Sequence, residues 1–199
     1  LLGQLPVVYF APETMALIKQ GPAARRHFLD RMLIQLDRRY ASALEDYQRT
    51  VLQRNQLLRD IRAGRASPEL LAIWDEPLYE GGCWIRRRRL WVLQELEPLV
   101  QQAALELGLL DAATGPSLRL VYHRAAVGQE AAGAWGHGDD GDRVRGPDPL
   151  RTLRREEIQR GVTLWGPHRD DFHVLLAQQD ARRFASQGQQ RGLVLALLF

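Results

Sequence analysis

The sequence has 199 residues, 45% hydrophobic and 26% charged, enough for one sizeable core or two small ones in an ordinary globular chain. It has no apolar stretch of about 18 residues, which excludes a membrane-spanning helix, and Cys83 is its single cysteine, which excludes an internal disulfide and a cysteine-based zinc site. The net charge is +3, with Lys19 the sole lysine and arginine supplying the rest, a bias that suits phosphate binding and equally suits a GC-rich or heat-adapted source.

In chain order, Leu1 to Pro6 carries no basic region or cleavage site, so no signal peptide is expected and a cytoplasmic location fits. Leu5 to Phe10 reads as a buried strand ended by Ala11-Pro12. Gly21-Pro22 opens a helix with an apolar stripe of Phe28, Leu29, Met32, Leu33 and Leu36, and Arg25, Arg26 and Arg31 fall largely off it. A second helix runs from Tyr40 to about Arg65 on Leu44, Tyr47, Val51, Leu52 and Leu58, with Gly64 as its stop. Ser67 as N-cap and Pro68 open a third helix, which is expected to kink at Pro77, to meet Gly81-Gly82 and to resume from Trp84 to Leu107. Trp74, Trp84 and Trp91 suit one packed seam. The two long helices imply an antiparallel hairpin projecting from a globular base.

Ser117 to Arg124 alternates like a strand, and Ala125 to Pro149 is Gly- and Asp-rich and expected to be mobile or partly disordered. Leu150 to Arg160 is a short polar helix ended by Gly161. Val162 to Trp165 and Phe172 to Leu176 read as strands flanking the turn Gly166 to Asp171, and a hairpin turn is expected at Gln178 to Ala181. After Ser186 an apolar helix runs to the last residue with no stop signal, so both ends read as cut from something longer. Strands at both ends and helix in the middle imply an α/β (α+β) lobe with a helical-hairpin insertion. The expected division is 1–20 for the end of a lobe strand and its loop, 21–115 for the helical arm, and 116–199 for the remaining lobe.

Ser186-Gln187-Gly188-Gln189-Gln190-Arg191 carries the densest chemistry. Ser186 with Gln189 three positions on forms a capping box, each side chain satisfying a free amide. The same free amides, hydroxyl and glycine also suit a phosphate. His168-Arg169-Asp170-Asp171 invites a metal reading, but no third ligand is apparent and no metal is expected. The alternative is structural: Arg169 paired with a carboxylate and Asp170 capping a turn. Arg86-Arg87-Arg88-Arg89 spreads around a helix, so at least one arginine lies near the packed face and covers it with its stem. The others form a solvated face or contact phosphates, and Arg25 and Arg26 are a second candidate for DNA contact.

Ser-x-Gly-Gln-Gln before an apolar helix resembles the signature motif of ABC-type ATPases of the DNA-repair branch. Gly166-Pro167-His168-Arg169-Asp170-Asp171 stands upstream, with Asp170 seventeen positions before Gln187, and the pairing resembles the RecF family. Gly21 to Asp30, Gln53-Arg54-Asn55 with Leu57-Leu58, and Trp74-Asp75 agree with it. The resemblance covers nearly all of the chain outside 125–149.

The resemblance implies an ATP-dependent homodimer on DNA that acts in replication, recombinational gap repair and the SOS response, with RecR- and RecO-type partners. Ser186, Gln187, Gly188, Gln189 and Gln190 would contact ATP in trans. Glu13 would sense the γ-phosphate, unless Phe10 to Glu13 is an ordinary strand-ending turn. His168 to Asp171 would form an interface element beside the nucleotide site. The P-loop would precede residue 1, and the acidic strand holding Mg²⁺ would follow Phe199, so this stretch alone is expected to lack the weak ATPase activity of the whole. The competing reading is a non-enzymatic helical DNA-binding or interaction module in which Ser186 merely caps a helix. A relative of the SMC and Rad50 type is disfavoured, because no long heptad repeat appears.

Overall fold

The structure is a computed structural model that describes residues 16–110, 118–125 and 149–198. The expected strand at 5–10, Glu13 and residues 126–148 lie outside the described residues.

After a short α1 (Ala16–Lys19) come α2 (Pro22–Leu36) and α3 (Arg38–Arg62). Asp37 ends one helix and starts the next. Its backbone N–H donates to Leu33 O, and its carboxylate accepts from Arg39 N, satisfying groups that each helix end leaves open. A 3₁₀ turn at Pro68–Leu71 leads into α4 (Ala72–Glu106). Then follow β1 (Leu118–His123), α5 (Pro149–Arg160), β2 (Asp171–Leu176), β3 (Gln179–Asp180), α6 (Ala181–Phe184) and α7 (Gln187–Leu198).

The described fold is mostly helical with one three-stranded antiparallel sheet ordered β1-β2-β3, an α+β arrangement. Leu118 faces Leu176 and Tyr122 faces Phe172 across β1 and β2. One face of this sheet meets α2 through Phe28 and Phe172, whose ring centroids are 6.4 Å apart. The main core joins Leu29, Leu33, Leu78, Ile85, Phe172 and Leu193, and a smaller cluster of Leu58, Ile61 and Leu71 closes the turn end of the α3–α4 pair.

The helical hairpin is present and antiparallel. Tyr40 meets Trp84, and Arg54 meets Asp75, so positions rise on α3 as they fall on α4. The helix expected to resume only at Trp84 is uninterrupted: α4 runs continuously through Pro77 and the two glycines. Gly82 permits packing instead of ending the helix: a Cβ there would lie 2.9 Å from Trp165 Cζ3.

Among the described residues Val162 to Trp165, expected as a strand, has no ladder partner and leads into a turn; the N–H groups of Thr163 and Leu164 bond to Asn55 on α3 and Glu157 on α5. The hairpin turn falls at Ala177 and Gln178, both at positive φ (50° and 66°), the backbone of a tight two-residue connection. Three apolar residues expected in helical cores are exposed: Leu36 60%, Leu52 68% and Trp91 38%. The buried positions of α3 are Tyr40, Tyr47, Arg54, Leu58 and Ile61, so the stripe runs on a seven-residue spacing that includes an arginine.

Candidate functional site

Residue 186 begins a capped helix. Gln189 N donates to Ser186 Oγ at 3.2 Å, and Ser186 N donates to Gln189 Oε1 at 2.8 Å. The capping box is therefore formed in full. It leaves Ser186, Gln187 and Gly188 exposed, and a Cβ at Gly188 would meet only Ser186 Oγ at 3.9 Å. The first-turn amides of Gln187 and Gly188 have no carbonyl within the helix to reach. Gln190 differs from its neighbours: its side chain is buried, and Nε2 donates to the carbonyls of Ala181, Arg182 and Ala185. It ties α6 to α7 and does not face outward.

The densest polar structure lies at the loop 161–171. Asp170 is fully buried and accepts from Arg86 Nε at 2.6 Å and Nη2 at 2.8 Å. It also accepts from Tyr122 Oη and Ala125 N, both at 2.9 Å. Burial opposes the charge on Arg86, but the hydrogen bonds and charge of Asp170 outweigh it and raise the guanidinium pKa above its ordinary value. Arg86 also lies 4.6 Å from the Trp165 ring centroid. Asp171 takes Arg25 in a two-pronged pair at 2.7 Å for each bond. Arg89 pairs with Asp30 and donates to Pro167 O at 2.6 Å.

The arginine run therefore divides. Arg86 and Arg89 lie on the buried face of α4, where positions 82, 85, 86, 89, 92 and 93 are covered. At least one of the four was expected at the packed face; two are there, and as both are committed to carboxylates, Arg86 and Arg89 do not fit the expected DNA contact. Arg88 pairs with Asp37 and lies 4.4 Å from the Trp91 ring centroid, and Arg87 is exposed. Arg25 is likewise buried in an ion pair, contrary to its expected place off the helix stripe.

Two further details depart from expectation in the His168 to Asp171 cluster. Arg169 donates to the Thr163 carbonyl at 3.2 Å instead of to a carboxylate, and Asp170 holds Arg86 in addition to an amide. His168 Nδ1 lies 2.7 Å from Tyr47 Oη and Nε2 lies 3.3 Å from Thr163 O. Burial raises the Tyr47 pKa, so its hydroxyl keeps its proton and donates to Nδ1, while Nε2–H donates to the carbonyl. Gly166 makes this possible. Its φ is +130°, and a Cβ there would lie 2.1 Å from Tyr47 Oη. Among the described residues no cluster of three or more metal-ligating side chains occurs.

Burial holds the His168 pKa down at about 4. As pH falls through about 6.5, the unfolded chain takes up a proton on this imidazole before the folded chain does. The stability it contributes is present above that pH and is lost as pH falls toward 4. Between pH 7 and pH 5 the loss from this group is about 2 kcal/mol. Urea unfolding at both pH values should show that His168→Gln is less sensitive to this change than the wild type; equal sensitivity would mean that His168 titrates normally.

A second network was not apparent from local pattern. Arg54 is fully buried in α3, donating to Glu157 at 2.7 Å, Asp75 at 3.2 Å and Thr163 Oγ1 at 3.1 Å. Arg154 also pairs with Asp75. Asn55 Oδ1 accepts from Thr163 N, and Glu157 Oε1 accepts from Leu164 N, each at 2.7 Å. Two signals were available: Tyr40, Tyr47 and Arg54 stand seven apart on one stripe, and Arg54, Asn55 and Asp75 lie in motifs that carry the family resemblance. Beside this network an open cleft of about 530 Å³ lies between the start of α2 and the loop, lined by Pro22, Arg26, Asn55, His168 and Arg169 among others.

No family model matches the chain. It is 45% identical over 197 residues to DNA replication and repair protein RecF of Moorella thermoacetica, covering 99% of this chain and 48% of that protein. RecF of Herpetosiphon aurantiacus is 41% identical over 199 residues, again 99% and 48%. Among solved structures, one of recombination mediator protein RecF-ATPrS in the RecFOR pathway superimposes with a TM-score of 0.83 at 31% identity, covering 99% of this chain and 50% of that one. A RecF-ATP structure gives 0.78 at 29% identity, covering 98% and 50%. The chain spans about half the length of the relatives it matches. Among the described residues no helix is long and apolar enough to cross a membrane.

Proposed function

Because this chain belongs to the RecF family, we propose that it forms the signature-motif half of a RecF-type DNA replication and repair ATPase. The observation that supports this reading is the exposed, capped start of α7, where Ser186, Gln187 and Gly188 offer a hydroxyl and first-turn amides with open space in front of them. The cap need not compete with a phosphate. Ser186 Oγ serves one amide as acceptor and keeps its own proton to donate.

In this reading Ser186 to Gln189 of one subunit close over ATP held by a second, with Mg²⁺ bound by the half that the chain does not span. Gln190 acts indirectly, fixing α6 against α7. Residues 21–115 act as the arm, with 1–20 and 116–199 belonging to the ATPase lobe, and His168 to Asp171 brace the lobe against the arm beside the subunit interface. The full-length protein is a weak cytoplasmic ATPase that dimerises on ATP, binds DNA at single-strand to double-strand junctions, and works with RecR- and RecO-type partners in recombinational gap repair and the SOS response. The chain alone is inactive.

In the full-length protein, Ser186→Arg should leave ATP binding intact and abolish ATP-dependent dimerisation measured by light scattering. Dimerisation equal to the wild type would remove the role in trans and return Ser186 to a helix cap.

A further inference from the structure

The buried arginines of this fold are all paired with carboxylates: Arg25 with Asp171, Arg54 with Glu157, Arg86 with Asp170 and Arg89 with Asp30. Two arginines beside them have no carboxylate partner among the described residues. Arg26 donates to the backbone carbonyl of Asp170 at 2.9 Å, and Arg169 donates to that of Thr163 at 3.2 Å. A carbonyl orients a guanidinium without neutralising it. The carboxylates that act on Arg26 are Asp171, Asp170 and Asp30, and each already holds another arginine.

Arg26 and Arg169 line the same open cleft, and among the described residues no acidic side chain lines it with them. Asn55 is committed to the loop backbone. His168 adds no charge at neutral pH, since burial keeps it neutral down to about 4. Burial and the nearby Arg89 cation lower the pKa of Arg26, against Asp171, Asp170 and Asp30, which raise it, and among the described residues Arg26 and Arg169 are the charged side chains that line the cleft. The loop wall is braced by the Arg54 and Arg86 networks, and each of the two guanidiniums is oriented by a backbone carbonyl.

We propose that this cleft is a phosphate-binding site in which Arg26 and Arg169 together grip a phosphodiester of the DNA backbone. A planar guanidinium already oriented by a carbonyl keeps further N–H groups for a phosphate oxygen. The contact is independent of base sequence and depends on salt through counterion release. This inference rests on the RecF-type reading for its choice of DNA as the source of the phosphate, and it assigns Arg169, expected at an interface, to the same grip.

The test uses the full-length protein with a labelled gapped duplex, read by fluorescence anisotropy across a salt series. Arg26→Gln/Arg169→Gln should weaken binding about tenfold at 0.15 M salt and reduce the slope of log affinity against log salt by about 1, the value for one phosphate. Arg26→Lys/Arg169→Lys should restore most of the slope. The thermal unfolding midpoint and ATP binding should stay at wild-type values for both variants. Unchanged DNA affinity and slope in a folded Gln variant would overturn the proposal. A loss of ATP binding with DNA affinity intact would overturn it too, by identifying the anion as a nucleotide phosphate. Wild-type protein that binds no DNA would instead sink the broader functional reading.

Discussion

Asp170→Ala is expected to destabilise the full-length protein by about 3–5 kcal/mol, the cost of stranding one partner of a buried ion pair. The substitution leaves Arg86 with its guanidinium buried and its carboxylate gone. Trp165 remains over the cation, but a ring face offsets little of a lost carboxylate. Tyr122 Oη and Ala125 N also lose their acceptor, and each stranded donor adds to the cost. Because a typical domain is stable by only about 5–15 kcal/mol, the variant should be largely unfolded in mild denaturant. The paired change Arg86→Met/Asp170→Leu should cost clearly less than the two single changes summed, because it strands no charge. Urea denaturation of all four proteins measures this coupling. Additive losses would show that Arg86 and Asp170 are not a coupled pair.

Arg54→Met is the second large effect, also about 3–5 kcal/mol. It strands Glu157, whose side chain has no exposure. Asp75 keeps Arg154 and is less affected. Arg54 also holds Thr163 Oγ1, so the damage should begin at the loop 162–164. Hydrogen exchange should report faster opening of the Thr163 and Leu164 amides than of the amides in the middle of α4. Adding Glu157→Gln to Arg54→Met should recover part of the loss by removing the stranded charge. Uniform protection across loop and helix in Arg54→Met would rule out the local account.

Both predictions concern residues whose types suggest a surface. The sequence read four consecutive arginines as mainly solvated or DNA-facing, with at least one covering the packed face. Two are inside, because positions 86 and 89 are three apart on α4 and share the face that carries Gly82 and Val92. Their burial depends on Asp170 and Asp30, which lie 84 and 59 residues away. No local pattern encodes such a partner. Val162 to Trp165 was misread for a related reason. Its residues favour a strand, but the N–H groups of Thr163 and Leu164 bond to Asn55 and Glu157 instead of to a ladder. The Gly81-Gly82 pair looked like a break because glycine weakens helices, whereas here it admits Tyr47 and Trp165.

What was legible was local or periodic. The starts of α2 and α7, the long hairpin, the β1 and β2 strands and the Ser186–Gln189 capping box all follow from spacing and short-range hydrogen bonding, whereas the helix expected to open at Ser67 begins at Ala72 after a 3₁₀ turn that Ser67 does not cap with its side chain. The RecF resemblance rested on ordered motifs and needed no geometry. Which charges are neutralised was settled only by the tertiary structure. A guanidinium becomes a brace or a phosphate grip according to whether a carboxylate from a distant segment reaches it. Arg86 is reached by Asp170; among the described residues Arg26 and Arg169 are met by backbone carbonyls.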